Sequence, residues 1–363
     1  MKIVTIIGAR PQFIKAAVVS RILRTLPGMV EVLVHTGQHY DNNMSAVFFE
    51  ELEIPKPEYD LNISAYTHGA QTGRMLEAIE RVLFKEKPDC AVVYGDTNST
   101  LAGALAAVKL HILVAHVEAG LRSFNRRMPE EINRILTDHT SDILFAPTEI
   151  AMKNLLKEGI LEEKIQVVGD VMYDVALYFG AKAEQKSYIL KNLHLKPKEY
   201  ILATIHRAEN TDDPKRIRAI FEGLVEVNKI IPVILPLHPR TRKALEKLRV
   251  LDKVKNGIRL IDPIGYLDMV MLEKNASIIA TDSGGVQKEA FFYSVPCITL
   301  RDETEWVELV DMGWNRVTKP DNNAQIADAI LSAVDIKGDE GSPYGEGRAA
   351  EAVVKILACM RLK

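Results

Sequence analysis

The feature that most constrains this sequence is a series of short, continuous runs rich in valine and isoleucine, separated by stretches with helical periodicity. Runs without alternation are typical of strands buried on both faces, and such strands occur in parallel sheets covered by helices. We therefore predict an α/β fold of two doubly wound domains, with right-handed crossovers, facing each other across a cleft. The predicted strands are residues 3–7, 30–34, 90–94, 112–117, 143–145, 165–168, 200–204, 233–237, 258–261, 277–281 and 297–300.

The length of 363 residues fits two domains of ordinary size. The strand–helix pattern restarts between Asp170 and Lys198, and the polar segment 182–198 predicts a helix that connects the domains. We expect an N-terminal domain at 1–172 and a C-terminal domain at 173–345. A terminal helix within 346–363 is expected to pack back on the N-terminal domain.

Charge and cysteine content exclude several classes of protein. The 46 basic and 49 acidic residues give a net charge of −3, which provides no broad positive surface for nucleic acid. Three cysteines without a CxxC pair exclude a disulfide scaffold or a zinc ribbon and fit a reducing compartment. The longest apolar stretch, 101–117, is interrupted by Lys109, His111 and His116 and cannot span a membrane. We expect a cytoplasmic protein that binds neither nucleic acid nor membranes.

The loop after the first strand carries Gly8, Arg10, Pro11 and Lys15. Ligands of doubly wound sheets bind outside the carboxyl ends of the strands, so this loop is a candidate site. A helix N-terminus attracts anions and disfavours cations, so Arg10 and Lys15 are predicted to contact a phosphate or substrate rather than to be plain surface residues. The single glycine does not make a GxGxxG motif, and a dinucleotide site is not indicated.

Two carboxylates follow the next strands of the first half. Asp96 by itself is best explained as the cap of the following helix, a common role for aspartate at a strand–helix junction. Glu118 comes directly after an apolar strand and should be nearly buried. Because a buried carboxylate needs a partner or a raised pKa, Glu118 is predicted to be functional.

A helix is predicted to begin at Pro129, with apolar residues facing inward and a charged stripe on another face. Such a stripe is usually a solvated row of ion pairs, although this one lies close to the Glu118 loop. The residues expected to face inward are Ile132, Ile135 and Leu136. The stripe consists of Glu130, Arg134 and Asp138.

The second half places polar clusters after three of its strands. His206, Arg207 and Asn210 stand together in one loop, with Glu209 between them, and indicate a phosphate site. His238 follows the next predicted strand and could be either structural or functional. The loop around Ile264 and Tyr266 offers backbone groups and an aromatic face.

The most specific element is the segment 282–290, DSGGVQKEA, at a strand-to-helix junction. Ser283, Gly284 and Gly285 expose consecutive backbone N–H groups at a helix N-terminus, which favours an anion such as phosphate. Glu289 lies one turn further on and can accept hydrogen bonds from paired hydroxyls such as those of ribose. The alternative, a plain capped helix, requires Ser283 and explains neither glycine.

Together these elements resemble the non-hydrolysing UDP-N-acetylglucosamine 2-epimerase family over nearly the whole chain. The matching motifs, in order, are GARPQFIK, TGQH, GDT, VEAGLR, PEEINR, TIHRAEN and TDSGGVQKEA. The sequence departs from the family pattern where Tyr40 and Asp41 follow TGQH and where Lys288 stands in place of a common glutamate.

The resemblance implies two Rossmann-like domains of the glycosyltransferase-B type with UDP held mainly by the second domain. It assigns phosphate contacts to His206 and the segment 283–285, the ribose to Glu289 and the uracil to the loop around Ile264 and Tyr266. The sugar would be surrounded by first-domain residues. These are Arg10, Lys15, Asp96, Glu118, Glu130 and Arg134.

The resemblance also implies a reaction. The C2 proton of the sugar is not acidic, so elimination of UDP to a 2-acetamidoglucal and re-addition on the other face would give UDP-N-acetylmannosamine, with acid–base residues and without NAD or a metal. The catalytic set would be Asp96, Glu118, Glu130 and His206. A cytoplasmic homodimer that supplies surface polysaccharide synthesis is expected.

Four alternatives remain open on sequence alone. A hydrolysing epimerase would release UDP and free N-acetylmannosamine, and a relative would act on a diacetamido uronic acid sugar. A retaining glycosyltransferase or a non-catalytic nucleotide-sugar sensor would use the same UDP site, and the carboxylates Asp96, Glu118 and Glu130 argue against both.

Overall fold

The computed structural model describes residues 1–38, 53, 56–64, 67–334 and 336–360, and of Arg10 the backbone alone. The predictions made for the Arg10 side chain, Tyr40 and Asp41 therefore lie outside the described residues. The contacts divide the chain into two compact units: unit 1 is Met1–Val175 with Ser342–Lys363, and unit 2 is Ala176–Gly341. The boundaries expected from the sequence fall after residues 172 and 345.

Unit 1 contains a parallel sheet of seven strands in the order β3-β2-β1-β4-β5-β6-β7. Each connection that the structure describes after β3 passes through a helix, as parallel strands require. Its elements in chain order are β1 Lys2–Ile7, α1 Arg10–Leu23, β2 Val30–His35, β3 Tyr59–Asp60, α2 His68–Glu86, β4 Cys90–Tyr94, α3 Asn98–Lys109, β5 Leu113–Val117, α4 Pro129–Thr140, β6 Ile143–Ala146, α5 Glu149–Lys157 and β7 Ile165–Val167.

Unit 2 contains a parallel sheet of six strands in the order β10-β9-β8-β11-β12-β13. The helix α6, Val171–Lys186, begins in unit 1 and ends in unit 2. The elements that follow are α7 Ile189–Asn192, β8 Ile201–Thr204, α8 Ala208–Thr211, α9 Pro214–Asn228, β9 Val233–Pro236, α10 Pro239–Lys247, α11 Leu251–Gly257, β10 Arg259–Ile261, α12 Tyr266–Asn275, β11 Ile278–Thr281, α13 Gly284–Phe292, β12 Cys297–Thr299, α14 Val307–Asp311, β13 Asn315–Val317 and α15 Asn323–Leu331.

The central strands, such as β4, β8 and β11, are buried on both faces, which is why their sequences do not alternate. Ile201 and Ala203 of β8 pack into one apolar cluster of unit 2, while Tyr200 and Leu202 pack into another. Every predicted strand has a counterpart, and the α/β prediction is confirmed. The sequence analysis missed β3 and β13, because two and three residues of mixed polarity carry no periodic signal.

The helix predicted over 182–198 is placed differently. The helix α6 starts eleven residues earlier and ends at Lys186, and the four-residue α7 follows. Ser187 separates the two, because its hydroxyl donates to Asp268 over 2.5 Å and accepts from the N–H of Ile189 over 3.2 Å. A side chain that hydrogen-bonds its own backbone in this way ends a helix.

The terminal helix α16, Ala349–Cys359, packs against α1 in unit 1. Its N-terminus is capped by Asp174, whose carboxylate accepts the N–H groups of Ala349 and Ala350 over 3.0 and 2.9 Å. Capping satisfies two of the N–H groups that a helix start otherwise leaves without partners. Among the described residues, no helix has both the length and the apolar character needed to cross a membrane.

Candidate active site

Glu118 and Lys15 form an ion pair at the carboxyl ends of β5 and β1. Their side chains are 8% and 9% exposed, so Glu118 is nearly buried, as its position in the sequence predicts. The backbone of Glu118 has a φ of +73°, a conformation that costs a residue with a Cβ about 1–3 kcal/mol. The turn is held there because the N–H groups of Glu118 and Ala119 both donate to the carbonyl of Phe145 over 3.1 Å.

Asp96 lies at the carboxyl end of β4 and is paired with Arg134 at 2.6 Å. The interpretation of Asp96 as a helix cap is wrong: the cap of α3 is Thr97, whose hydroxyl accepts from the N–H of Thr100. The Asp96 carboxylate is thus available for an ion pair, and its side chain is 35% exposed. Asn133 holds the Asp96 backbone by donating to its carbonyl over 3.0 Å.

The helix α4 turns its polar face inward, against the prediction from periodicity. Leu136 is 44% exposed and Ile132 and Ile135 are only partly buried. Of the predicted stripe, Glu130 is exposed, whereas Arg134 and Asp138 are buried. The charged residues Glu131, Arg134 and Asp138 and the amide of Asn133 are stabilised inside because each has a hydrogen-bonding or charged partner, which is the condition for burying them. The buried residues of this helix are Glu131, Asn133, Arg134, Thr137 and Asp138.

Gln12 joins two of the strand-end loops, a role that the sequence analysis missed. It is 1% exposed, and its side-chain oxygen accepts the N–H groups of Gly8 and Ala9 over 2.8 and 3.0 Å. Its amide nitrogen donates to the carbonyl of Tyr94 and to the hydroxyl of Thr100 over 2.8 and 2.9 Å. The loop that leads into the helix of Lys15 and the loop that carries Asp96 are thereby fixed to each other. The sequence signal was a glutamine three positions after the N-cap residue of a helix, here Ala9.

A buried charged network lies beneath these loops. His116, the fourth of the five residues of β5, contacts Asp138 of α4 through Nδ1 and the carbonyl of Gly95 through Nε2, both at 2.7 Å. Asp138 also contacts Arg122 at 2.7 Å, and Arg122 donates to Glu158 over two bonds of 2.7 Å. Burial by itself would raise the pKa of Asp138, but its hydrogen bonds and the positive charges beside it prevail and lower that pKa.

In unit 2, Asp282 organises the loop that carries His206. The side chain of Asp282 is fully buried, and it accepts the backbone N–H groups of His206 and Arg207 over 3.0–3.1 Å. Its carboxylate also contacts His206 Nδ1 at 3.4 Å and leaves the imidazole 40% exposed. The ring of His238 lies 5.5 Å from that of His206, and His238 caps α10 by accepting the Arg240 N–H. His206 is therefore presented at the carboxyl end of β8 in a fixed orientation.

Asn210 is buried and has a positioning role, while the substrate contact that we predicted for it stays a prediction. It is 1% exposed, and its amide nitrogen donates to Asp282 over 3.1 Å and to the carbonyl of Leu300 over 3.0 Å. Arg207 lies nearer the surface of its loop, with a side chain 25% exposed and 3.9 Å from Glu305. Asp282 opens the segment 282–290 that the sequence analysis singled out, but no role was predicted for it. The signal for that role was a carboxylate directly after the apolar strand β11.

The helix α13 begins with an uncapped N-terminus. Ser283 is the N-cap residue, and within the described chain its hydroxyl makes no capping hydrogen bond to this helix. Gly285 is exposed, and a Cβ added to it would meet no atom within 4 Å, whereas a Cβ on Gly284 would come 2.7 Å from Glu305. The backbone N–H groups of the first turn are thus accessible to an anion, which the plain capped-helix interpretation does not explain.

Glu289 and Tyr266 form a buried pair near this helix start. Glu289 is 7% exposed and accepts from the Tyr266 hydroxyl over 3.3 Å. The ring of Tyr266 is 3% exposed and packs edge-on against Phe179 at 5.5 Å between centroids. The prediction that Tyr266 offers an aromatic face is therefore wrong, because the ring is used in the core. Ile264, two residues earlier, is partly buried.

Lys288 is a buried cation beside the same helix start. It is 2% exposed, and its Nζ lies 4.1 Å from the centroid of the Trp306 ring. Trp306 in turn donates through Nε1 to the carbonyl of Gly284 over 2.9 Å. A cation over an aromatic face is stabilised when water is excluded. The hydrogen bond from Trp306 fixes the first turn of α13 at the carbonyl of Gly284. Lys288 adds a positive charge within the same helix.

The fold and these strand-end sites define an α/β protein of the glycosyltransferase-B-like class, with two parallel sheets covered by helices. The family model described as UDP-N-acetylglucosamine 2-epimerase matches residues 21–358. The chain therefore belongs to the UDP-N-acetylglucosamine 2-epimerase family.

Relatives of known name are similar along their whole length. The UDP-2,3-diacetamido-2,3-dideoxy-D-glucuronate 2-epimerase of Pseudomonas aeruginosa is 54% identical over 361 residues, 99% of either chain. The UDP-N-acetylglucosamine 2-epimerase of Methanocaldococcus jannaschii is 50% identical over 363 residues, 98% of this chain and 99% of the relative. A crystal structure of the enzyme from that organism, in complex with UDP-GlcNAc and UDP, superposes with a TM-score of 0.91 at 50% identity over 99% of both chains.

Proposed function

We propose that this protein interconverts UDP-N-acetylglucosamine and UDP-N-acetylmannosamine by eliminating UDP and adding it back, without hydrolysis. The observation that carries the proposal is the pairing of two carboxylates with their own cations at neighbouring strand ends of unit 1, Glu118 with Lys15 and Asp96 with Arg134. Acid–base catalysis of this reaction needs groups that exchange protons near the sugar. The named relatives act on UDP-sugars of this type, which supports the assignment.

The reaction is balanced without a redox cofactor. A base removes the proton from C2, the C2–H electron pair becomes the C1–C2 double bond, and the C1–O electron pair leaves with UDP. Re-addition of UDP at C1 and delivery of a proton to the opposite face of C2 give the epimer. Since no oxidation occurs, the reaction does not call for NAD. That the enzyme requires no metal ion either remains our prediction.

We assign proton transfer to a set drawn from Asp96, Glu118 and Glu130, with Lys15 and Arg134 stabilising the ionised carboxylates. The carboxylates have different surroundings, since Glu118 is nearly buried, Asp96 is one-third exposed and Glu130 is exposed. Groups in different environments are suited to different protonation states, which an acid and a base require.

We assign the diphosphate to the first turn of α13, formed by Ser283, Gly284 and Gly285, and to the exposed imidazole of His206. Both lie at the carboxyl ends of neighbouring strands, β11 and β8. The N–H groups and the dipole of the helix favour an anion, and a charged leaving group is stabilised by donors fixed in advance. Glu289 is assigned to the ribose.

A second candidate substrate is UDP-2,3-diacetamido-2,3-dideoxy-D-glucuronate. It is favoured by the 54% identity to the enzyme of that name from Pseudomonas aeruginosa. Both candidates carry a 2-acetamido group and a UDP leaving group at C1, so the same elimination applies. They differ in the substituents at C3 and C5.

The test is incubation of the enzyme with each UDP-sugar in D2O, without NAD, followed by NMR. Epimerisation with deuterium incorporated at C2 of both epimers is the expected result, and the substrate turned over with the higher kcat/KM decides between the two candidates. Accumulation of UDP and free N-acetylmannosamine would instead indicate a hydrolysing enzyme. Binding of UDP without any C2 exchange would indicate a nucleotide-sugar sensor and refute the proposal. A cytoplasmic homodimer remains our prediction for the assembled enzyme.

A further inference from the structure

The buried pair of His116 and Asp138 has no place in the reaction as proposed above. Both side chains have zero exposure. His116 is on β5, two residues before Glu118, and Nε2 contacts the carbonyl of Gly95, the residue before Asp96. One imidazole thus lies between the two loops that carry the proposed acid–base residues.

Both nitrogens of this imidazole face oxygen acceptors at 2.7 Å. A neutral histidine has one N–H donor and one lone pair, so in either neutral tautomer a lone pair would face an oxygen. A proton on Asp138 would relieve one of these contacts, but Asp138 also faces the Arg122 guanidinium at 2.7 Å, and a cation at that distance favours the ionised carboxylate. The form that supplies a proton to each contact is the imidazolium.

The surrounding charges fit a cationic ring. Asp138 accepts from His116 through Oδ1, while its Oδ2 contacts Arg122 at 2.7 Å and accepts the Gly120 N–H over 3.1 Å. Arg122 is further paired with Glu158, and His139 lies 3.3 Å from Glu158. With a cationic His116 and a neutral His139, the two cations His116 and Arg122 equal in number the two carboxylates Asp138 and Glu158.

The pair also connects backbone segments. The Gly95 N–H donates to the Val117 carbonyl over 3.0 Å, while the Gly95 carbonyl accepts from His116. Asp138 binds the N–H of Gly120, on the far side of the Glu118 turn, where φ is +82°. Glu118 itself has a positive φ, so the turn needs such external contacts to persist.

We propose that His116 and Asp138 are positioning residues, an imidazolium–carboxylate pair that fixes the turns bearing Asp96 and Glu118. The catalytic part of this inference rests on the proposed function, whereas the protonation of His116 does not. A displacement of catalytic groups by about 1 Å can cost about 100-fold in rate, so loosening these turns should lower turnover.

The first test is NMR of the full-length wild-type enzyme labelled with 15N in its histidine rings. The expected result is one ring, absent from the spectrum of His116→Gln, that has both nitrogens protonated at about pH 7.5, where an ordinary histidine is mostly neutral. A neutral His116 tautomer would overturn the inference, whether or not the enzyme is active.

The second test compares kinetics with a matched buried carboxylate. Glu31 has a side chain 1% exposed and accepts from Thr5, Ser20 and Arg24, but it pairs with Ile3 near the amino end of the same sheet, away from the strand-end loops. Glu31→Gln should lower the thermal midpoint with kcat within about twofold of wild type, since it perturbs folding and not the loops.

His116→Gln and Asp138→Asn should each lower kcat by about 10- to 100-fold, with little change in KM and in the Kd of UDP. The double variant should be no slower than the slower single variant, because both changes break one unit. A kcat loss no greater than that of Glu31→Gln, at a temperature where all variants are folded, would refute the positioning role. A wild-type enzyme that exchanges no C2 proton on either UDP-sugar would refute the proposed function, while the NMR result would still decide the state of His116.

Discussion

The substitution Gly285→Ala separates ligand binding from stability by changing the two in opposite directions. Gly285 lies in the first turn of α13, is exposed and has space for a Cβ, with no atom within 4 Å. Replacement of glycine by alanine at a compatible site stabilises a protein by about 0.4–1 kcal/mol, chiefly because it lowers the conformational entropy of the unfolded chain. For a unit of the size of Ala176–Gly341, this corresponds to a rise of about 1–4 °C in thermal midpoint.

Binding of UDP should become weaker in the same variant. If the diphosphate lies against the N–H groups of this turn, a methyl group there hinders its approach and lengthens at least one hydrogen bond to a charged oxygen. Such a bond contributes about 1.5–3 kcal/mol, so Kd should rise by about 10- to 100-fold.

The assay is calorimetric titration with UDP together with thermal unfolding, each with and without the nucleotide. Gly73→Ala is the matched control, because Gly73 is also in a helix, is exposed and has space for a Cβ, but lies in α2 of unit 1. It should gain similar stability and bind UDP as the wild type does. Unchanged UDP affinity in Gly285→Ala would refute the assignment of the phosphate to this turn.

Three further predictions address the carboxylates. Glu118→Gln should lower turnover of the UDP-sugar and C2 deuterium exchange by at least about 100-fold, and a smaller loss would remove Glu118 from the catalytic set. Asp282→Asn, which removes the buried acceptor of the His206 loop, should weaken UDP binding by about tenfold or more in calorimetry, and an unchanged Kd would refute the role of that loop. The hydrogen bond from Arg122 lowers the pKa of Glu158 in the native state, so its stabilisation is present above the ordinary carboxyl pKa and is lost as the pH falls through and below that range. Denaturant unfolding should accordingly show a weaker acid dependence for Glu158→Gln than for wild type, and identical pH profiles would contradict the reasoning.

The sequence predicted those site features well that depend on the type of a residue and on its place at the end of a strand or the start of a helix. Glu118 was expected to be nearly buried because a carboxylate follows an apolar strand, and the structure pairs it with Lys15. The uncapped glycine-rich start of α13 was likewise visible, since a plain cap does not require two glycines. Both features depend on a few adjacent residues and on the rule that the carboxyl ends of parallel strands meet at the same edge of the sheet.

Features that depend on partners distant in sequence were not predictable. The helix α4 buries Arg134 and Asp138 because Asp96, His116 and Arg122 supply their counter-charges, and periodicity alone places the apolar face inside. The same reason explains why Asn210 and the ring of Tyr266 are buried, since their partners Asp282, Leu300 and Glu289 are distant in sequence.

The sequence by itself determined the two parallel α/β units and the strand-end loops that carry the polar residues, because burial of apolar runs on both faces of a sheet is a local property of each run. Only the tertiary structure decided which of those polar residues are exposed and which are buried, and which charge faces which. The physical reason is that a polar side chain is stable inside a protein only with a partner, and its partner here stands on another strand or helix that the fold brings alongside.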